Sequence, residues 1–92
     1  IADLPLIWRP AARRALHDIT TYIADRHPDA ARRLGVAIRH TTNRIIENPY
    51  IYRPGRVAGT REAVVHPNYI LVYRVTGTIE ILAVLHARQR YP

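Results

Sequence analysis

Apolar and polar positions along this chain follow two different periods, and the change between them marks out the elements. From Ala11 to Arg26, the residues Ala12, Ala15, Leu16, Ile19, Tyr22 and Ile23 recur at three- and four-residue spacings, while Arg13, Arg14, His17, Asp18, Thr21 and Asp25 take the other side. That spacing predicts an amphipathic helix with the first set turned inward, and Pro10 stands where a first helical turn accepts proline. After the break "RHPD", a second helix is predicted from about Asp29 to Glu47, with Ala31, Leu34, Ala37, Ile38, Thr41 and Ile45 facing inward. Asn48-Pro49 ends it, because proline pushes its predecessor away from helical angles. So short a break predicts an antiparallel helical hairpin.

Elsewhere the period falls to two or the runs become continuously apolar. "LPLIW", Leu4 to Trp8, is compatible with a strand that Pro5 restricts to an edge or a strand start. "YIYRPGRVAG" reads as a connecting loop, and "REAVVH", "YILVYRV" and "IEILAVLH" read as three strands rich in valine, isoleucine and tyrosine. The expected order is β-α-α-β-β-β: an α+β fold in which a small antiparallel sheet carries an α-helical hairpin on one face. Residues 1–92 form a single domain in this reading, with a modest core, since a chain of this size buries roughly 60–65% of its unfolded surface.

The open face of such a sheet is where a site can stand, and its occupants depend on register. A turn of Thr76 and Gly77 alone puts Arg74 opposite Ile79. One more turn residue pairs Arg74 with Glu80 and sets Ile70, Val72 and Arg74 on one face with Leu82, Val84 and His86. In that second register Arg74 and Glu80 read as an exposed cross-strand pair.

Composition adds the partner. The net charge is +7, and all 14 basic residues are arginine. A G+C-rich genome accounts for that bias without function, but the planar arginine fork also suits phosphate or carboxylate, hence nucleic acid or an acidic protein segment. Without cysteine there is no disulfide or thiolate metal site. The apolar runs are too short for the roughly 20 residues of a membrane helix, and no secretory pattern opens the chain. A cytoplasmic protein without membrane contact is the expectation. Because the chain starts at Ile1 and holds no methionine, a start residue or short leader is expected ahead of it. His17, His27 and His40 read as solvated and have no metal-ligand partner three or four residues further on, so no metal and no cofactor are expected. His66 should bond the backbone of its own turn. Tyr50 and Tyr52 are expected to cap the core edge, and Tyr69 and Tyr73 to cover the sheet.

The stretch "GTREAVVHPNYILVYRVTGTIEILAVLHARQRYP", Gly59 to Pro92, resembles the C-terminal sheet of the RelE/ParE superfamily of toxins from bacterial type II toxin–antitoxin systems. The Asn68-Tyr69 turn, the "LVYRV" strand and the "VLHARQ" ending are its most specific parts, and the helix lengths and the "ENP" helix stop extend the likeness over nearly the whole chain. The resemblance implies a toxin neutralised by a cognate antitoxin that wraps an extended or helical segment around it.

Two activities are implied by that superfamily. RelE-like members cut messenger RNA on the ribosome, which requires a general base, a general acid and cations around phosphate. ParE-like members inhibit DNA gyrase and cleave nothing themselves. Where the RelE-like pattern has basic residues at alternate positions of the first sheet strand, this chain has Arg61 and Ala63; where it has one after the tyrosine of the next strand, this chain has Ile70. A ribonuclease would have to use Arg61, Arg74, His86, Arg88 and Tyr91, or a set built on Glu62 and His86. The departures favour the ParE branch and gyrase inhibition, with the ribonuclease as the alternative and a degenerate antitoxin-binding module as a third. His86, Arg88, Arg90 and Tyr91 are the expected target contacts, unless the tail is only a solvated terminus. Arg13, Arg14, Arg32, Arg33 and Arg39 on the outer hairpin face, with Arg53 and Arg56 in a loop expected nearby, are the expected antitoxin contacts.

Overall fold

The computed structural model describes residues 3–92. Strand β1 (Leu6–Trp8) leads into helix α1 (Pro10–Ala24) and helix α2 (Pro28–Glu47), followed by β2 (Arg53–Pro54), β3 (Arg61–His66), β4 (Tyr69–Val75) and β5 (Ile79–His86). Each helix opens on a proline, whose missing N–H would have had no partner in the first turn. Helix α1 stops two residues before the expected Arg26, where the N–H groups of Arg26 and His27 both turn back to the Ile23 carbonyl. Tyr22, expected to face inward, is 59% exposed; its ring lies 3.8 Å from the Arg26 guanidinium carbon, covered by a cation rather than by the core.

The α+β architecture is the expected one, with two additions. The sheet has five strands in the order β1-β5-β4-β3-β2, and it is mixed, because β1 runs parallel to β5. Arg53–Pro54, inside the segment read as a loop, forms a two-residue edge strand against Arg61 and Glu62. Proline at such an edge costs the sheet no ladder bond and blunts the edge against further pairing.

The turn between β4 and β5 holds three residues, Thr76 to Thr78, so Arg74 pairs with Glu80 as the second register expects. A bulge then intervenes: Tyr73 pairs with Ile81 but Val72 with Ala83, leaving Leu82 as the extra residue. Beyond it the faces of β5 exchange, so Val84 and His86 stand opposite Leu71 and Tyr69, while Ala83 and Leu85 stand opposite Val72 and Ile70. The expectation that Arg74 and His86 share a face is therefore wrong. The inserted residue turns His86 to the helix side and leaves Arg74 on the open side.

The main core lies between sheet and helices and holds Ala12, Ile45, Ala63, Leu71, Tyr73, Ile79, Ile81 and Val84. Each fully buried leucine or isoleucine there contributes about 1.5–3 kcal/mol. Tyr73 is wholly buried; its hydroxyl donates to the Pro49 carbonyl at 2.7 Å, tying the end of α2 to the sheet centre, and Tyr52 meets its ring edge-on at 6.5 Å. Burial pushes the Tyr73 phenol above its ordinary value, so it stays a donor. Tyr73→Phe should cost about 1 kcal/mol, seen as a lower urea midpoint at unchanged slope. Of the loop tyrosines, Tyr52 packs on the core as expected, whereas Tyr50 is exposed.

A second, smaller apolar cluster occupies the other face: Ile70, Val72 and Leu85, with Leu82, Ala83, Ala87 and Tyr91 packed against them. The residues after β5 thus fold back over the face that the helices leave open.

Candidate functional site

The end of the sheet where β3 and β5 stop is built from His66, Tyr69 and His86. Register places both histidines opposite Tyr69, and its ring sits 5.7 Å from each imidazole. Both imidazoles are held alike: Asn68 N–H donates to His66 Nδ1 at 3.0 Å and Arg88 N–H to His86 Nδ1 at 3.3 Å. An Nδ1 that accepts leaves the neutral proton on Nε2, so each ring presents a donor outward. His66 bonds its own turn as expected. Its place beside Tyr69 and His86 is new, and only the strand register contains that information.

The tail after β5 is tied down rather than fraying. Ala87 N–H donates to the Asn68 carbonyl at 2.7 Å and Gln89 N–H to the His86 carbonyl at 2.9 Å. The Gln89 side-chain oxygen accepts from His86 N–H at 3.2 Å, and the Gln89 carbonyl accepts from Arg56 Nη1 at 3.1 Å. Arg88 and Arg90 are exposed, and among the described residues neither guanidinium has a bonded partner. Tyr91 does not stand beside His86: its ring belongs to the open-face cluster.

The other expected cations are engaged within the fold. Arg61 Nη1 donates to the carbonyls of Tyr52 at 2.7 Å and Tyr50 at 3.3 Å, with its guanidinium over the Tyr50 ring. Arg74 grips Glu80 with two bonds, 3.1 and 3.2 Å; the Arg74 hydrogen bonds hold the Glu80 carboxyl below its ordinary value. Glu62 is buried, 3% exposed. Burial would raise its carboxyl, but the Arg56 backbone N–H and the charges of Arg56 and Arg53 outweigh that and hold it below the usual range. An alternation of Arg61 and Ala63 toward the helices puts Glu62 on the open face, across the sheet from His86, so the two do not form an acid–base pair.

Of the arginines expected to meet an antitoxin, Arg13 and Arg14 line a groove of about 550 Å³ with Trp8, Pro10 and His17. Arg39 lines a neighbouring groove of about 320 Å³ in which Trp8 and Leu16 meet Gly35, Ile38 and Thr42 of α2. Arg33 borders a third depression at the helix break, and Arg32 pairs with Asp29 at 2.9 Å. Arg53 and Arg56 do not lie near this hairpin. Both reach Glu62, on the far side of the sheet, because the two-residue strand carries their loop past the edge.

Residues 6–91 match the family of ParE toxins of type II toxin–antitoxin systems, parDE. This chain belongs to the ParE toxin family. A relative from Sinorhizobium fredii (strain NBRC 101917 / NGR234), named "Putative toxin Y4kP", is 41% identical over 86 residues, covering 92% of this chain and 90% of its own. The same fold is found in the chromosomal ParDE system of P. aeruginosa, with a TM-score of 0.76 at 22% identity over 90% of this chain and 95% of that one. It recurs in the toxin–antitoxin complex RelBE2 of Mycobacterium tuberculosis, with a TM-score of 0.63 at 22% identity over 97% of each chain. The YoeB dimer of Staphylococcus aureus gives 0.65 at 16% identity over 98% and 100%. The fold is thus shared with solved proteins of ParDE, RelBE and YoeB systems. Among the described residues no helix is long and apolar enough to cross a membrane, and no group of three or more His, Cys, Asp or Glu side chains is placed to hold a metal ion.

Proposed function

We propose that this ParE-family toxin acts by inhibiting DNA gyrase and is neutralised by a cognate antitoxin. The observation that carries this reading is the dispersal of the groups a ribonuclease would need. Arg61 is spent on two loop carbonyls and Arg74 on Glu80, while Tyr91 packs on the face opposite His86. His86 Nδ1 accepts from the Arg88 backbone N–H, and neither Glu62 nor Tyr91 stands on its face of the sheet to complete an acid–base pair. Phosphoryl chemistry requires base, acid and cations around one phosphate, whereas an inhibitor needs only a shaped, charged surface. The tail cations Arg88 and Arg90, with the His66–Tyr69–His86 edge beside them, supply such a surface. An antitoxin segment with acidic residues and large apolar anchors suits the grooves on either side of Trp8, where Arg13, Arg14 and Arg39 stand over an apolar floor.

The test is a gyrase supercoiling assay on circular DNA beside primer extension on ribosome-bound message. The wild-type chain should block supercoiling or accumulate cleaved DNA, and leave the message intact. His86→Gln should keep inhibition within a few-fold, because glutamine retains both a donor and an acceptor, whereas loss of a general acid or base costs on the order of 10²–10⁴ in rate. Message cuts that vanish in His86→Gln, with gyrase unaffected, would establish the ribonuclease instead.

A further inference from the structure

A line of contacts on the open face joins a buried carboxylate to the C-terminal tail. Glu62 Oε2 accepts from the Arg56 backbone N–H at 2.9 Å and forms an ion pair with Arg56 Nε at 3.2 Å. Held at both its backbone and its side chain, Arg56 aims Nη1 at the Gln89 carbonyl, 3.1 Å away and 33 residues further along the chain. The loop that brings Arg56 there has little slack. Gly55 N–H donates to the Thr60 carbonyl at 2.8 Å, a Cβ at Gly55 would collide with Thr60 Oγ1, and Gly59 turns at φ +81°, where a side chain is strained. On the tail side, Gln89 is bonded twice to the backbone of His86, and Arg88 and Arg90 flank it.

We propose that Arg56 is a positioning residue for the tail: through Glu62 on one side and the Gln89 carbonyl on the other, it holds Arg88 and Arg90 in the orientation in which they meet the toxin's target. This rests on the reading that the tail is the target contact, and it assigns Arg56 a role different from the antitoxin contact expected of it. The Ala87–Asn68 bond ties only the root of the tail, and the Tyr91 ring packs apolar and without direction. Arg56 supplies the directed, charge-assisted bond between them. Cations ordered before binding forgo the ordering cost that a loose tail incurs in the complex. Lysine does not replace this residue, since one ammonium on a flexible stem lacks the planar fork that serves Glu62 and Gln89 together.

The experiment compares the full-length wild type with Arg56→Lys and Arg56→Ala by three readouts: amide exchange of residues 87–91, urea unfolding, and growth arrest on induction without antitoxin. Arg56→Lys preserves net charge, so a direct electrostatic role for Arg56 would survive it. The expected result is that both variants exchange tail amides roughly tenfold faster than the wild type while strand amides keep the wild-type rate, and need about tenfold more protein for arrest, the loss of one charge-assisted bond at a half-exposed site. Double substitution with Glu62→Gln should add little to the tail effect, because both act through one contact line. Unchanged tail exchange in Arg56→Ala would overturn the latch, and faster exchange with undiminished arrest would overturn the positioning role. Growth arrest without gyrase inhibition by the wild type would remove the gyrase reading separately, since exchange and arrest judge the latch whatever the target is.

Discussion

Replacing Arg88 and Arg90 together by alanine is expected to abolish growth arrest and raise the concentration needed for gyrase inhibition at least about 100-fold, as two charge-assisted contacts are lost. The fold should not notice. Neither guanidinium is bonded within the described residues, and the tail is held by Ala87, Gln89 and the Tyr91 ring instead. Thermal unfolding should shift little, and antitoxin binding should persist, because the hairpin grooves lie on the helix side of the sheet. Each contact is screened by salt if it forms at the surface, so wild-type inhibition should weaken as ionic strength rises. A supercoiling titration against purified gyrase, run with a melting curve of the same sample, reads both halves. Undiminished arrest by the double variant would remove the tail from the mechanism.

Glu62→Ala should be the most damaging single change outside the apolar core, at about 2–3 kcal/mol. It strips two arginines of their carboxylate and leaves the Arg56 N–H without a partner next to a buried site. The pH dependence follows with a definite sign. The folded carboxyl lies below the ordinary 4.5 of glutamate, so its contribution is complete above about pH 4.5 and is lost as pH falls through the lowered folded value. Glu80 is lowered in the same direction by Arg74, but on the solvated surface, where such a pair is worth little. Acid unfolding of Glu62→Gln should therefore flatten in this window and that of Glu80→Gln should follow the wild type. Equal acid profiles for Glu62→Gln and the wild type would show that the carboxylate carries no stability.

The cost of the Glu62 site has a functional corollary. The same carboxylate that stabilises the loop from Arg53 to Thr60 also orients the residue that reaches the tail, so Glu62→Gln should loosen residues 87–91 before it unfolds the domain. Stability and tail order are linked on the open face, while the hairpin grooves are built from α1, α2 and β1 and do not share these residues.

Local chemistry alone settled much of this protein. The 3.6-residue spacing, Pro10, the "RHPD" break and Asn48-Pro49 placed two helices within two residues of their ends, since both propensity and the proline rules act inside a few residues. Runs of β-branched and aromatic residues placed β3, β4 and β5, and the Arg74–Glu80 pair was legible once a three-residue turn was allowed. Tertiary structure decided the rest, through contacts that span many residues. Pairing β1 parallel to β5 joins Leu6 to Ile79 across the whole chain, and nothing in three residues of sequence specifies such a partner. The bulge at Leu82 satisfies apolar packing on both sheet faces at once, and in doing so parts His86 from Arg74, a choice no alternation pattern contains. Glu62 was legible only as a possible partner of His86, because only the folded loop brings Arg53 and Arg56 to it. The destination of the tail was hidden for the same reason: Ala87 and Tyr91 cover Ile70, Val72 and Leu85 only after the sheet has left that face without helices.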